Sequence, residues 1–448
     1  MISVIKNYSI NTNRLVNIIF AIFPLSFLFG SSIVNFNLLL FCFIGIYLLK
    51  SKIFTTKLYF PIKIIFLFFL LILFSTAISF IKSLYFNGFE DSELSRLIKS
   101  ILFFRYFLFL IIVFLLNEHG ILDFKYFFYS AAFFSFALSL DVIFQYIFGF
   151  NIVGLKSDWV FNSSFFGEEK IAGGNIVRFS FFTLFLSLFL LNKKSNIKFI
   201  LATTIICILG VGIFTSGNRM PLVLFLLGLF FIFILDIKIK KIIFFSSLSL
   251  ILIFLFISSF DDKIRGNYYN LYYFGEEILL GIGKISENKK KKYEDIPKDE
   301  LILVRSGHKG LFSTAVETWR LNKIFGNGIK SFRIDCKKII KVKIYSLCSN
   351  HPHNYYLEIL TETGILGLLL IGSIMFLFLF LIFKNFKFFN THGLENFVLL
   401  AAMTSLLIEM FPIRSSGSFF TTNNATYTIL ILSIFLCLIN KIDKINSK

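Results

Sequence analysis

Charge is scarce in this chain. Of its 448 residues, 16% are Asp, Glu, Lys or Arg, where soluble proteins carry ~25%. Apolar residues make up 56% and aromatics 19%, and mean hydropathy is +0.80. That balance excludes a set of two or three soluble domains, and equally a secreted, fibrous or disordered chain. Acidic residues are scarcer still, 26 against 45 basic ones, leaving a formal charge of +19. Nucleic-acid binding does not follow, because the Lys and Arg fall mainly between apolar runs, where they act as topology signals. Cysteine is also sparse, at 5 residues. Cys42, Cys207 and Cys437 lie in apolar runs and read as small core hydrophobes. Cys336 and Cys348 lie in a polar segment, and an oxidising compartment would permit either a disulfide or two free thiols. No CxxC or compact His/Cys spacing favours zinc. The 65 Phe, with many Ile, Lys and Asn, read partly as the codon bias of an AT-rich genome, so an aromatic stripe carries little information.

What is present is a succession of apolar runs of about 18 residues or more, each able to cross ~30 Å of hydrocarbon. The runs predict an all-α polytopic membrane protein of about twelve transmembrane helices, near 14–31, 33–49, 58–81, 97–117, 124–148, 173–191, 198–215, 220–236, 242–259, 356–383, 395–412 and 424–440. Lys50, Lys52 and Lys57, then Lys193, Lys194 and Lys198, then Lys238, Lys240 and Lys241 lie in alternate connections. Lys384, Lys387, Lys441, Lys444 and Lys448 continue the set. The positive-inside rule makes that side cytoplasmic, with both termini there, and no cleavable signal peptide is expected. The chain divides into residues 1–260 with nine spans, a large periplasmic loop containing short helices over 261–354, and residues 355–448 with the last three spans. A loop of that length is usually functional, and long loops translocate largely regardless of charge. A shorter outside segment spans 151–174.

Two outside motifs hold candidate chemistry. Thr215-Ser216-Gly217-Asn218-Arg219-Met220-Pro221 joins the seventh and eighth runs, and Ser216 or Asn218 can cap the new helix with Pro221 in its first turn. The free N–H groups there, with the Arg219 guanidinium beside them, suit a diphosphate at the membrane surface. The plainer reading is an interfacial Arg that snorkels to lipid headgroups. Asn350-His351-Pro352-His353-Asn354 ends the large loop. At 100° per residue Asn354, Glu358, Thr361 and Glu362 share a face of the following helix, and carboxylates at that depth suggest a cavity lined by water or substrate. The two His at HxH spacing read as a metal pair or as a surface pair without a role. The adjoining carboxylates count against the second of these.

His353-Asn354, nine residues, then Gly364-Ile365-Leu366-Gly367-Leu368 resembles the signature of the bacterial O-antigen ligase and O-antigen polymerase family. Ser216-Gly217-Asn218-Arg219 with Pro221-Leu222-Val223-Leu224 resembles its upstream Arg motif. Phe325-Gly326-Asn327-Gly328 is similar to its glycine-rich stretch, and Pro412 to Phe420 to the segment before its last span. With the span layout, the resemblance covers nearly the whole chain. It implies a metal-independent glycosyltransferase without cofactor, in the inner membrane, that takes an undecaprenyl-diphosphate-linked glycan as donor. His353 would then activate or orient the acceptor hydroxyl, as a neutral imidazole can near neutral pH, and Arg219 would bind the diphosphate leaving group. A second loop Arg is expected before the glycine-rich stretch. The sequence there reads Val304-Arg305-Ser306-Gly307-His308-Lys309 and departs from the family, which leaves Arg305, His308 and Arg320 as substrate-binding candidates beside Asn354, Glu358 and Glu362.

Other features weigh less. Gly167 to Gly174 resembles a segment of polymerase-like members, or is a turn. Gly281-Ile282-Gly283-Lys284 lacks the spacing of a phosphate loop. Tyr268, Tyr269, Tyr272 and Tyr273 suit either sugar stacking or an interfacial belt, and Lys289 to Lys292 reads as a solvated run. The acceptor stays open between lipid A core, another lipid-linked repeat, and a protein, as in O-oligosaccharyltransferases. The alternative from another class is a lipid-linked saccharide flippase. It would need ionisable groups near the bilayer midplane and related halves, whereas Arg105 and Asp141 are the main charges inside spans and the halves look unlike.

Overall fold

The computed structural model describes residues 13–158, 160–190, 195–235, 239–269, 308–340, 347–386 and 393–446. They form an all-α bundle with no strands among them beyond two isolated bridges, Phe150 to Lys156 and Asp158 to Phe161. After a helical start broken at Phe27–Phe29 by a 3-10 turn, the main helices are α1 (Ser31–Leu49), α2 (Phe60–Asn87), α3 (Asp91–Glu118), α4 (Lys125–Phe148), α5 (Ala172–Leu190), α6 (Ser195–Thr215) and α7 (Arg219–Leu235). There follow α8 (Lys240–Phe260), α9 (His308–Leu321), α10 (Phe332–Ile340), α11 (Tyr355–Lys384), α12 (Leu394–Glu409) and α13 (Thr422–Asn446).

Among the described residues 8 helices are long and apolar enough to cross a membrane, beside the shorter apolar helices Phe199–Thr215 and Arg219–Leu235. The first run is interrupted at Phe27–Phe29, and α12 stops after 16 residues at a buried Glu409. Helices α9 and α10 are the amphipathic short helices of the large loop.

Packing separates centre from rim. In the apolar stretch of α13 89% of the residues are buried and in that of α8 only 22%, so α8 faces outward with Phe256 and Phe260 exposed while α13 lies inside. The core is a mesh of rings: Phe20 lies 5.3 Å from Phe41, Phe23 lies 5.2 Å from Phe109, and Phe41 lies 5.3 Å from Phe109. Tilted and edge-on rings at such separations add attraction beyond their buried area.

The two ends of the bundle differ chemically. At one end Lys384 pairs with Asp443 at 2.6 Å, Lys441 with Glu395 at 2.5 Å, and Lys444 with Glu118, while the Tyr59 hydroxyl donates to Asp443 at 2.5 Å. These are the Lys-rich connections. The starts of α5, α7, α11 and α13 gather at the other end, around a cavity.

Candidate active site

The site is built from the start of α11. Asn354 is its N-cap, with extended backbone, and its Oδ1 accepts from Tyr356 N at 3.0 Å and Leu357 N at 3.1 Å, satisfying donors that a helix start leaves unpaired. Its Nδ2 donates to Pro412 O at 2.8 Å and Arg414 O at 3.3 Å. His353, just before it, has φ of 60°, a left-handed conformation that costs a non-glycine residue and marks a constrained position. Ser416 N donates to its carbonyl at 2.9 Å. One turn on, Glu358 accepts from Ser418 Oγ and Phe419 N, both at 2.6 Å. Segment 412–419 is thereby stitched to α11, and Arg414, Ser415 and Ser416 are set beside His353.

A second fastening brings in the large loop. Gly364 interrupts α11 with φ of 68° and ψ of −167°, freeing carbonyls upstream. Asn327 N donates to Thr361 O at 3.2 Å and Gly328 N to Glu362 O at 2.8 Å, and in return Ile365 N donates to Lys323 O at 2.9 Å. Ser75 Oγ on α2 bridges Phe325 O at 2.5 Å and Glu362 O at 2.8 Å. Contact is too close for side chains: a Cβ at Gly326 would lie 2.5 Å from backbone atoms of Glu362 to Gly364, and one at Gly364 would overlap the Ile324 carbonyl. The glycine-rich stretch and the glycine after the His motif are therefore two halves of one interlock. The Glu362 carboxylate completes it by accepting Lys330 N at 2.6 Å. Lys330 and Arg333 thus reach the cavity that holds His353.

That cavity has a volume of about 1040 Å³. Its wall carries Lys99 and Arg105 from α3, Lys170, Arg178 from α5, Lys330, Arg333 and Arg414, against the carboxylates Glu169 and Glu409. Lys170 is paired with Asp158 at 2.8 Å. His351 and His353 share the wall, with ring centroids 4.2 Å apart. Burial, then the neighbouring His353 and Arg333, push His351 down to about 4, so its ring stays neutral near neutral pH, and its buried Nε2 has no partner among the described residues. Burial and the adjacent Arg333 also lower Lys330 from the usual lysine range.

The same cavity wall carries a buried ion triad. Arg178 Nη2 donates to Glu409 Oε1 at 3.0 Å and Arg414 Nη1 to Glu409 Oε2 at 2.9 Å, while Tyr355 Oη donates to Oε1 at 2.8 Å. Arg178 lies over the Tyr427 ring at 4.7 Å and Arg414 over that of Tyr355 at 5.4 Å. Charges this deep persist when paired and hydrogen-bonded.

The expected site residues divide into groups. His353 lines the cavity. Asn354, Glu358 and Glu362 are buried and hold the segments around it, and none of the three lines the wall; their shared helical face turns to backbone donors, which corrects the expectation of a substrate-facing stripe. Arg219 is exposed, and its Nε donates to Asn267 Oδ1 at 3.1 Å. Its neighbours Asn218, Met220 and Pro221 line the cavity and Arg219 does not, because Gly217 and Asn218 are pinned against loop 158–172, Asn218 Nδ2 donating to Lys170 O at 3.0 Å. Arg320 pairs with Glu317 at 2.9 Å with its side chain 57% exposed, away from the cavity. His308 begins α9; its side chain and all of Arg305 lie outside the described residues. Cys336 and Cys348 are bridged, with Cα atoms 5.3 Å apart. Asp141, buried at the end of α4, accepts from Ile152 N at 3.0 Å and from Ser164 Oγ. Among the described residues no group of three or more His, Cys, Asp or Glu is placed to hold a metal ion.

Sequence reasoning missed Arg178, Glu409, Lys330 and Arg333. A lone Arg inside an apolar run was the available signal for Arg178, since intramembrane charges are functional candidates by default. Arg105 was visible only as a charge inside a span, and Arg414 only as part of the segment Pro412 to Phe420.

The described residues form an all-α membrane bundle with a cationic, histidine-bearing cavity at one end. Residues 202–372 match the family model described as O-antigen ligase, a stretch that holds both the Arg219 turn and the His353 motif. Over that stretch the chain is similar to the O-antigen ligase family. A comparison with curated proteins finds no match.

Proposed function

We propose that the protein transfers or polymerises a saccharide carried on undecaprenyl diphosphate, on the periplasmic face of the inner membrane. The observation that carries this is the single cavity shared by His353 and the cations Lys330 and Arg333, within the domain that matches the O-antigen ligase model. The orientation rests on the Lys-rich end facing the cytoplasm, with both termini there. The donor's lipid stays in the bilayer, and its diphosphate passes Arg219 at the rim to lie against Lys330 and Arg333. His353 takes the proton of the acceptor hydroxyl as that oxygen attacks the anomeric carbon. The bond from that carbon to the diphosphate oxygen breaks, and the cations neutralise the charge that grows on the departing lipid diphosphate. This chemistry needs no metal or cofactor. The acceptor is a glycan, the lipid A core or a protein hydroxyl.

The test is transfer by the purified chain in lipid nanodiscs, alongside a deletion strain examined for surface glycan. His353→Ala should lower transfer by ~10²-fold or more, and EDTA should leave it intact. Full activity in the variant would overturn the mechanism. Flipping of the donor without transfer would instead establish the flippase. In the deletion strain, single-repeat capping without modal chains identifies a polymerase, and accumulated lipid-linked polymer a ligase.

A further inference from the structure

The carboxylate of Glu409 does not use up the two guanidinium groups around it. Arg178 gives Nε and Nη2 to Glu409 and Nη2 also to Asn424 Oδ1 at 2.6 Å, leaving Nη1 without a partner among the described residues. Arg414 gives only Nη1, to Glu409 Oε2 and to the carbonyls of Glu409 and Ile408. Its Nε and Nη2 have no protein partner among the described residues. Two cations and one anion leave one positive charge in the cavity wall, on side chains only 13% and 12% exposed. The hydrogen bonds of this group run among Arg178, Glu409, Arg414, Tyr355 and Asn424, whereas Lys330 is held through its backbone N–H by Glu362.

We propose that Arg178, Glu409 and Arg414 form a second anion seat that takes the carboxylate of an acidic sugar, so that the saccharide handled here is a uronic or otherwise carboxylated glycan. The inference rests on the glycosyl-transfer reading and names its substrate class. A guanidinium fork matches a carboxylate in shape and donates to both its oxygens. The single residual charge balances one carboxylate, while the doubly charged diphosphate is matched by the several cations beside the histidines. A neutral sugar would displace water from this wall and leave the residual charge uncompensated.

The full chain in nanodiscs is offered undecaprenyl diphosphate carrying a disaccharide that ends in glucuronic acid or in glucose. Wild type is expected to favour the acidic donor by ~10- to 100-fold in kcat/KM. Arg414→Gln should bring that ratio close to one, and Arg414→Lys, which keeps the charge and loses the fork, should leave it between. Equal use of the two donors by wild type overturns the seat. So does an equal proportional loss on both donors in Arg414→Gln, which would assign the cluster to the diphosphate or to structure. If wild type turns over neither donor, the glycosyl-transfer reading fails. Retention of a free glucuronic acid oligosaccharide over its neutral counterpart, lost in Arg414→Gln, then supports the seat, and no selective retention overturns it.

Discussion

Arg219 and Arg414 stand at the same end of the bundle, each beside a helix boundary, and they have opposite surroundings. Arg219 is exposed with one bond to Asn267, and Arg414 is packed between Glu409, two backbone carbonyls and the Tyr355 ring. A motif resemblance points to the first, and the chemistry of the wall points to the second. Local sequence marks where a helix begins or ends. Which arginine is desolvated, and against what, depends on elements far apart in the chain, as when Arg178 meets Glu409 across 231 residues.

The harshest way to break this contrast is Glu409→Ala. It leaves Arg178 and Arg414 buried without their carboxylate, at a cost of about 3–5 kcal/mol, read as a large fall in the thermal midpoint of the protein in nanodiscs. Arg219→Ala should stay within ~0.5 kcal/mol of wild type, and equal shifts would erase the distinction. Next is Gly364→Ala, where a Cβ meets the Ile324 carbonyl at a φ of 68°. Strain of about 1–3 kcal/mol is expected, together with loss of transfer, because Lys330 and Arg333 are carried by the same interlock. A stable and active variant would show that the fastening does not position them.

A smaller effect tests the histidine pair. His351, held near 4 in the folded chain, titrates at ~6.5 when unfolded. As pH falls the unfolded chain takes up that proton first, so the stability His351 contributes is full above ~6.5 and is lost as pH drops toward 4. His351→Gln should flatten that part of the stability curve, and an unchanged slope across pH 6.5 to 4 would refute the assignment. The smallest expected change is kinetic. Arg219→Ala should raise KM for the lipid donor with little change in kcat, whereas Arg333→Ala should lower kcat, as expected when one contact is made throughout and the other strengthens in the transition state.

Much of the fold was legible because hydropathy and lysine placement are one-dimensional signals. The His353 motif was legible too, since its cap and its spacing to Gly364 are local. Glu358 and Glu362 show where legibility ends. Periodicity placed them correctly on one face, but only the packed structure shows that the face meets Ser418, Phe419 and the backbone of Lys330. Lys330 and Arg333 went unread because they reach the site through the Gly326 and Gly364 contact, which pairs residues far apart in the sequence.

That contact also bears on biogenesis. The carbonyls released by the break in α11 meet their donors on residues 327 and 328, which are made before it. An α11 inserted ahead of them would carry unpaired backbone groups into hydrocarbon, which is costly. Docking of the segment around residues 323–328 and final seating of α11 are therefore one coupled event, and a nascent chain stalled between them would present neither the histidine nor the cations in working order.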